Sequence, residues 1–166
     1  MSQFQRIVLI VMAVLMVSLL IAAGAAFASR QPQVIAGDFV PPEFDANARK
    51  GTPDALDESR GYRSLEMKEN AVVSLCTNIT VENNAAQIYF TSHEKNLGWM
   101  KIKLLDDSGK VLGESGLLRP GEYVQEVHLD SVPKNSGLIL TKILIYEPQT
   151  YLSLGSASAQ VMLYVS

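Results

Sequence analysis

Trp99-Met100-Lys101-Ile102-Lys103-Leu104, followed by Asp106-Asp107-Ser108-Gly109 and then Lys110-Val111-Leu112-Gly113, is the stretch whose reading decides the fold. Met100, Ile102 and Leu104 alternate with Lys101 and Lys103, the period of two of a strand that buries one face. The acidic turn ends in Gly109, which suits a positive φ, so the chain reverses there and 110–113 returns beside it.

The same pattern extends in both directions. Val72, Val73, Leu75, Cys76, Ile79 and Val81 form a first β-rich run, and Glu82-Asn83-Asn84 turns it into residues 85–92, the signature of a hairpin. Downstream, Leu118-Arg119-Pro120-Gly121 reads as a turn. After it Tyr123, Val127 and Leu129 alternate with Val124, Glu126 and His128. Residues 138–146 are apolar on both faces apart from Thr141 and Lys142, which places that strand centrally. Val161, Leu163 and Val165 close the chain as a last strand, after a small-residue stretch, Gly155 to Ala159, that reads as a flexible loop beside Tyr146, Tyr151 and Tyr164. The fold class expected is all-β: an antiparallel immunoglobulin/fibronectin-like β-sandwich of about seven strands over residues 63–166.

In front of it stands an uncharged run over residues 7–29, between Arg6 and Arg30. About 20 mostly apolar residues in a helix cross a hydrocarbon core, and residues 7–27 meet that length. A cleaved signal has a shorter apolar region, about 7–15 residues, before small residues at the cut, and Ala26-Phe27-Ala28 has that form ahead of Ser29. The expectation is one retained transmembrane helix, with the N-terminus cytoplasmic and the C-terminal domain extracytoplasmic. The alternative is secretion after cleavage following Ala28. Residues 1–29 are thus an anchor or signal peptide. Residues 30–62, with Pro32, Pro41, Pro42 and Pro53, read as a stalk. Within it, Thr52-Pro53-Asp54 has the form of a helix N-cap followed by Pro at the first helical position, enough for one short turn. Phe39, Val40 and Phe44 are its bulky apolar cluster, able to lie against the domain or the membrane interface.

From Gln31 onward there are 12 Lys and Arg (14 less Arg6 and Arg30) against 17 Asp and Glu, a net charge of −5. That balance argues against a nucleic-acid surface. The single Cys76 has no partner for an internal disulfide, so the apolar core alone must hold the domain.

Gly51-Thr52-Pro53-Asp54, Gly113-Glu114-Ser115-Gly116-Leu117, Arg119-Pro120-Gly121-Glu122-Tyr123-Val124 and Tyr146-Glu147-Pro148-Gln149-Thr150-Tyr151 resemble segments of small membrane-anchored or exported β-sandwich proteins of Gram-positive Firmicutes. The resemblance implies an extracytoplasmic location and a β-sandwich, and carries over no catalytic residue.

Cys76 with His93 and His128 supplies a nucleophile and base by residue type, but Cys76 sits in an apolar run where a buried thiol is the ordinary occupant. Two histidines without a close carboxylate or cysteine pattern make no metal site. Asp106, Asp107 and Gly109 lack the alternating ligands and distal Glu of a calcium loop and read as a hairpin turn. Asn78-Ile79-Thr80 matches a glycosylation acceptor by chance, in mid-strand. Trp99 shares a strand face with Lys101 and Lys103, and a Trp bordered by lysines is the candidate ligand-binding set, for a glycan, a peptide or an anionic polymer. The competing reading has Trp99 closing the end of the core.

No catalytic residue, cofactor or metal is expected. The leading expectation is a membrane-tethered structural or accessory component of a cell-surface or secretion assembly, with protein partners. A secreted or wall-associated glycan- or peptide-binding module is the alternative. An enzyme whose site is assembled from distant loops stands third.

Overall fold

A computed structural model describes residues 40–54, 56–67 and 71–165. The expected anchor at residues 7–27 and the cleavage site after Ala28 lie outside the described residues. The chain divides into two compact units, Met1–Val40 and Pro41–Ser166, and the second carries the fold.

The second unit is all-β. Its strands are β1 (Arg49–Lys50), β2 (Tyr62–Glu66), β3 (Val72–Cys76), β4 (Asn78–Glu82), β5 (Ala85–Ala86), β6 (Phe90–Ser92), β7 (Trp99–Leu105), β8 (Val111–Glu114), β9 (Glu122–Val124), β10 (Val127–His128), β11 (Gly137–Tyr146) and β12 (Ser153–Val165). They form a five-stranded sheet of order β1-β9-β6-β3-β2 and a seven-stranded sheet of order β10-β5-β4-β12-β11-β7-β8. The seven-stranded sheet nearly closes on itself, because Gly113 at the end of β8 bridges Leu129 just beyond β10. Glycine is required there: a Cβ on Gly113 would collide with the carbonyl oxygen of His128.

One core serves both sheets. Val73, Leu75, Phe90 and Val124 of the smaller sheet meet Ile79, Met100, Ile102, Leu104, Ile143, Ile145, Val161 and Leu163 of the larger one. Met100, Ile102 and Leu104 are fully buried, as their alternation predicts. Each such side chain contributes about 1.5–3 kcal/mol by leaving water. The turns follow their residues. Asn83 and Asn84 both take positive φ, 51° and 61°, the conformation of a two-residue hairpin turn. Pro120 and Gly121 (φ 77°) occupy the centre of a turn closed by the Glu122 amide on the Arg119 carbonyl.

The strands beyond the expected seven have two causes: β1 and β2 are additional strands ahead of the first expected run, and the other three come from runs that change sheet. Three runs cross from one sheet to the other and are counted twice: β3 passes into β4 at Thr77, β5 into β6 around Tyr89 (φ 53°), and β9 into β10 at Gln125 and Glu126. The last crossing shifts the inward phase, so Val124 is buried and Tyr123 is not, the reverse of a single alternating strand.

Several expectations are corrected. Pairing is not antiparallel throughout, since β4 runs parallel to β12 with Met162 opposite Asn78. Residues 155–159 are no flexible loop: β12 begins at Ser153 and pairs with β11 along its length, so a long partner strand overrides the weak strand preference of Gly, Ser and Ala. The connection is instead 147–152, with Gln149 and Tyr151 at positive φ. β11 is central, between β7 and β12, yet only one of its faces is buried.

The stretch expected as stalk is docked from Pro41 onward. Phe44 bridges Leu117 in parallel, the Asp45 carboxylate accepts the Gly116 amide at 2.8 Å, and β1 pairs with β9. No helical turn forms at Thr52-Pro53-Asp54. A one-turn 3-10 helix forms at Glu58–Arg60, where Asp57 accepts the Ser59 amide and Gly61 closes the turn in the left-handed conformation.

Candidate functional site

Trp99, Lys101 and Lys103 lie on the outer face of β7, opposite the buried Met100, Ile102 and Leu104. Register carries that face across the sheet. Lys101, Leu144 and Ser156 form one row, Lys103, Lys142 and Ser158 the next, and Leu105, Leu140 and Gln160 a third. Leu138, Met162 and Asn78 form a fourth, with Tyr164 beside Thr80 at the sheet's end.

This face has two chemical zones. In the first, Glu114 on β8 takes both neighbouring lysines, Lys101 Nζ at 2.6 Å and Lys103 Nζ at 2.9 Å. Burial by itself would raise the Glu114 carboxyl, but the hydrogen bonds and charges of Lys101 and Lys103 outweigh it and hold the group below its ordinary value. Lys142, directly opposite Lys103, makes no ion pair among the described residues.

The second zone is apolar. Leu138 (60 % exposed), Leu140 and Tyr164 stand out near one end of β11 and β12, and Leu154 is exposed at the other end, beyond the lysine rows. The polarity of β11 is inverted at its middle: Thr141 points into the core and donates to the Ala159 carbonyl at 2.9 Å, while the leucines face out.

Trp99 is half-buried at the edge of this face. Its ring meets Phe44 at 4.8 Å and Tyr151 at 5.2 Å between centroids, both edge-on, and the Arg119 guanidinium lies 3.6 Å above the Phe44 ring. Such pairs add about 0.5–1.5 kcal/mol each beyond burial. Phe44 comes from the stretch read as stalk and lies against the domain, one of the two positions expected of its apolar cluster, whereas Val40 is exposed; that its neighbour is Trp99 has no signal in local sequence. Trp99 and the lysines therefore share a face, as alternation predicts, with the ring held by two aromatics and the lysines engaged by one carboxylate.

The other sequence candidates are dispersed. Cys76 ends β3, fully buried, and burial pushes its thiol up to about 11 despite the opposing charge of Arg60. His128 lies in the other sheet, and His93 hydrogen-bonds Ser74 Oγ at 2.8 Å rather than the thiol. Ser74 also shares a hydrogen bond with Ser64, and it is 2 % exposed. The Ser74 and His93 pair resembles a nucleophile and base, but no carboxylate among the described residues orients the imidazole, and the hydroxyl is sealed from solvent. A cleft of about 390 Å³ lies beside it, lined in part by His93, Glu94, Lys95 and Thr52. Asp106 accepts from the Ser108 hydroxyl, the Lys110 amide and the Ser108 amide through one oxygen, a hairpin turn whose hydrogen bonds hold its carboxyl below the ordinary carboxylate value. Among the described residues no three His, Cys, Asp or Glu gather as metal ligands.

No protein-family model matches the chain, and no curated protein is significantly similar to it.

Proposed function

We propose that this chain is a membrane-tethered, extracytoplasmic interaction module, a structural or accessory component of a cell-surface assembly without chemistry of its own. The observation that carries the reading is the outer face of the seven-stranded sheet at one end of β11 and β12, where Leu138, Leu140 and Tyr164 are exposed near one another. The anchor in this proposal is residues 7–27, long and apolar enough to span. The finer architecture we infer is an immunoglobulin-like sandwich. Its support is a first long run divided between the two sheets as β3 and β4, and a C-terminal strand flanked by β4 on one side and β11 on the other.

A glycan or peptide site at Trp99, Lys101 and Lys103 is the weaker reading, because these groups already engage Phe44, Tyr151 and Glu114.

The test uses the full-length chain in its host membranes. A full-length species is expected in the membrane fraction, crosslinking to neighbouring membrane proteins. The double variant Leu138→Glu, Leu140→Glu should lose those crosslinks while keeping its thermal midpoint. A species beginning at Ser29 and free in the medium, or crosslinks unaffected by the double variant, overturns the reading.

A further inference from the structure

β12 is longer than the strand beside it. On one side it pairs with β11 from Ser153 to Leu163, but on the other β4 covers only Met162 to Val165. The Met162 amide points toward β4, where it donates to the Thr77 carbonyl at 2.8 Å. Backbone groups alternate along a strand, so the N–H and C=O of Gln160, Ser158 and Ser156 project from that same edge. No described strand meets them.

Sheet proteins ordinarily blunt such an edge with Pro, a charge, a bulge or a covering segment. Residues 156–160, Ser-Ala-Ser-Ala-Gln, contain neither Pro nor charge. The irregularity in the β11 pairing lies further back, near Leu154. Ser156, Ser158 and Gln160 are all exposed.

We infer that this edge pairs with its own counterpart in a second copy of the chain, antiparallel about a two-fold axis at Ser158, so that the two seven-stranded sheets become one. The inference rests on the interaction-module reading above and names the partner as a second copy. The register is self-complementary. Ser158 faces Ser158 of the other copy and Ser156 faces its Gln160, hydrogen-bonding side chains on the outer face. On the inner face Ala157 meets Ala159, small enough for close approach. No like charges oppose one another, unlike Lys103 and Lys142 one strand further in. A two-fold axis normal to the sheet also keeps both outer faces, and the Phe44 packed on each Trp99, on the same side. That geometry suits two copies tethered to one membrane.

The test takes the full-length chain in detergent micelles, its mass read by light scattering, with Ser158→Cys oxidised in host membranes alongside. Two chains per particle are expected, and S158C should form a reducible dimer where Leu138→Cys does not. Ser158→Pro removes an amide that no described residue accepts from, so it should give single chains with a nearly unchanged thermal midpoint. Single wild-type chains, a dimer that survives S158P, or S158C crosslinking no better than L138C overturns the inference. If single chains still crosslink to other membrane proteins through Leu138 and Leu140, self-pairing alone has failed. If they crosslink to nothing, the interaction-module reading fails with it.

Discussion

Glu114 holds the outer face together electrostatically, one carboxylate against Lys101 and Lys103 with Lys142 beside them. Its carboxyl lies below the ordinary value of 4.5 in the folded chain. A depressed carboxyl stabilises the fold above the unfolded value, and that stabilisation is lost as pH falls through the folded value. Glu114→Gln should therefore lower stability near neutral pH by about 1 kcal/mol or less, since the carboxylate is partly exposed and screened. It should also remove part of the decline below about pH 4.5, the ordinary carboxyl value. Thermal midpoints of both proteins from pH 7 to pH 3 check this. Parallel curves would show that the two ion pairs contribute nothing. The pattern of Lys101 and Lys103 on one face is legible in the sequence, because alternation alone sets it. Their shared partner is not, because Glu114 reaches them only through the β7 to β8 register.

At the scale of elements, the segment from Pro41 to Lys50 behaves as a strap rather than a stalk. Its hold depends on Gly116, where an added Cβ would collide with the backbone of Asp45. Gly116→Ala should displace the strap and cost about 1–3 kcal/mol. It should also open residues 41–54 to protease, read as a new cleavage in the full-length chain. Unchanged protection would mean that the strap is held by Phe44 and β1 alone. Proline content made these residues look extended, which they are. What anchors them is a parallel bridge to Leu117 and an aromatic contact with Trp99, residues distant in sequence. β12 was misread for a related reason. Gly, Ser and Ala carry little strand preference of their own, and it is β11 lying alongside that fixes them as strand.

Across the whole molecule, the three runs that cross between sheets tie both to one core, and neither sheet has an interior of its own. Unfolding should be a single transition, with Trp99 fluorescence and far-ultraviolet circular dichroism coincident in denaturant. Separated transitions would show that the sheets are independent. The sequence by itself determined the all-β class, the buried phase of β7, the turns at Asn83-Asn84 and at Gly109, and the outward set of Trp99, Lys101 and Lys103. These follow from local sterics and a period of two, which need no knowledge of the partner strand. Only the tertiary structure decided where runs change sheet, that β4 lies parallel to β12, that Phe44 packs on Trp99, and that no described strand pairs with residues 153–161 of β12 on the β4 side. Each of these depends on which strands become neighbours, and that choice is made by packing over long sequence separation rather than by any one segment's preference.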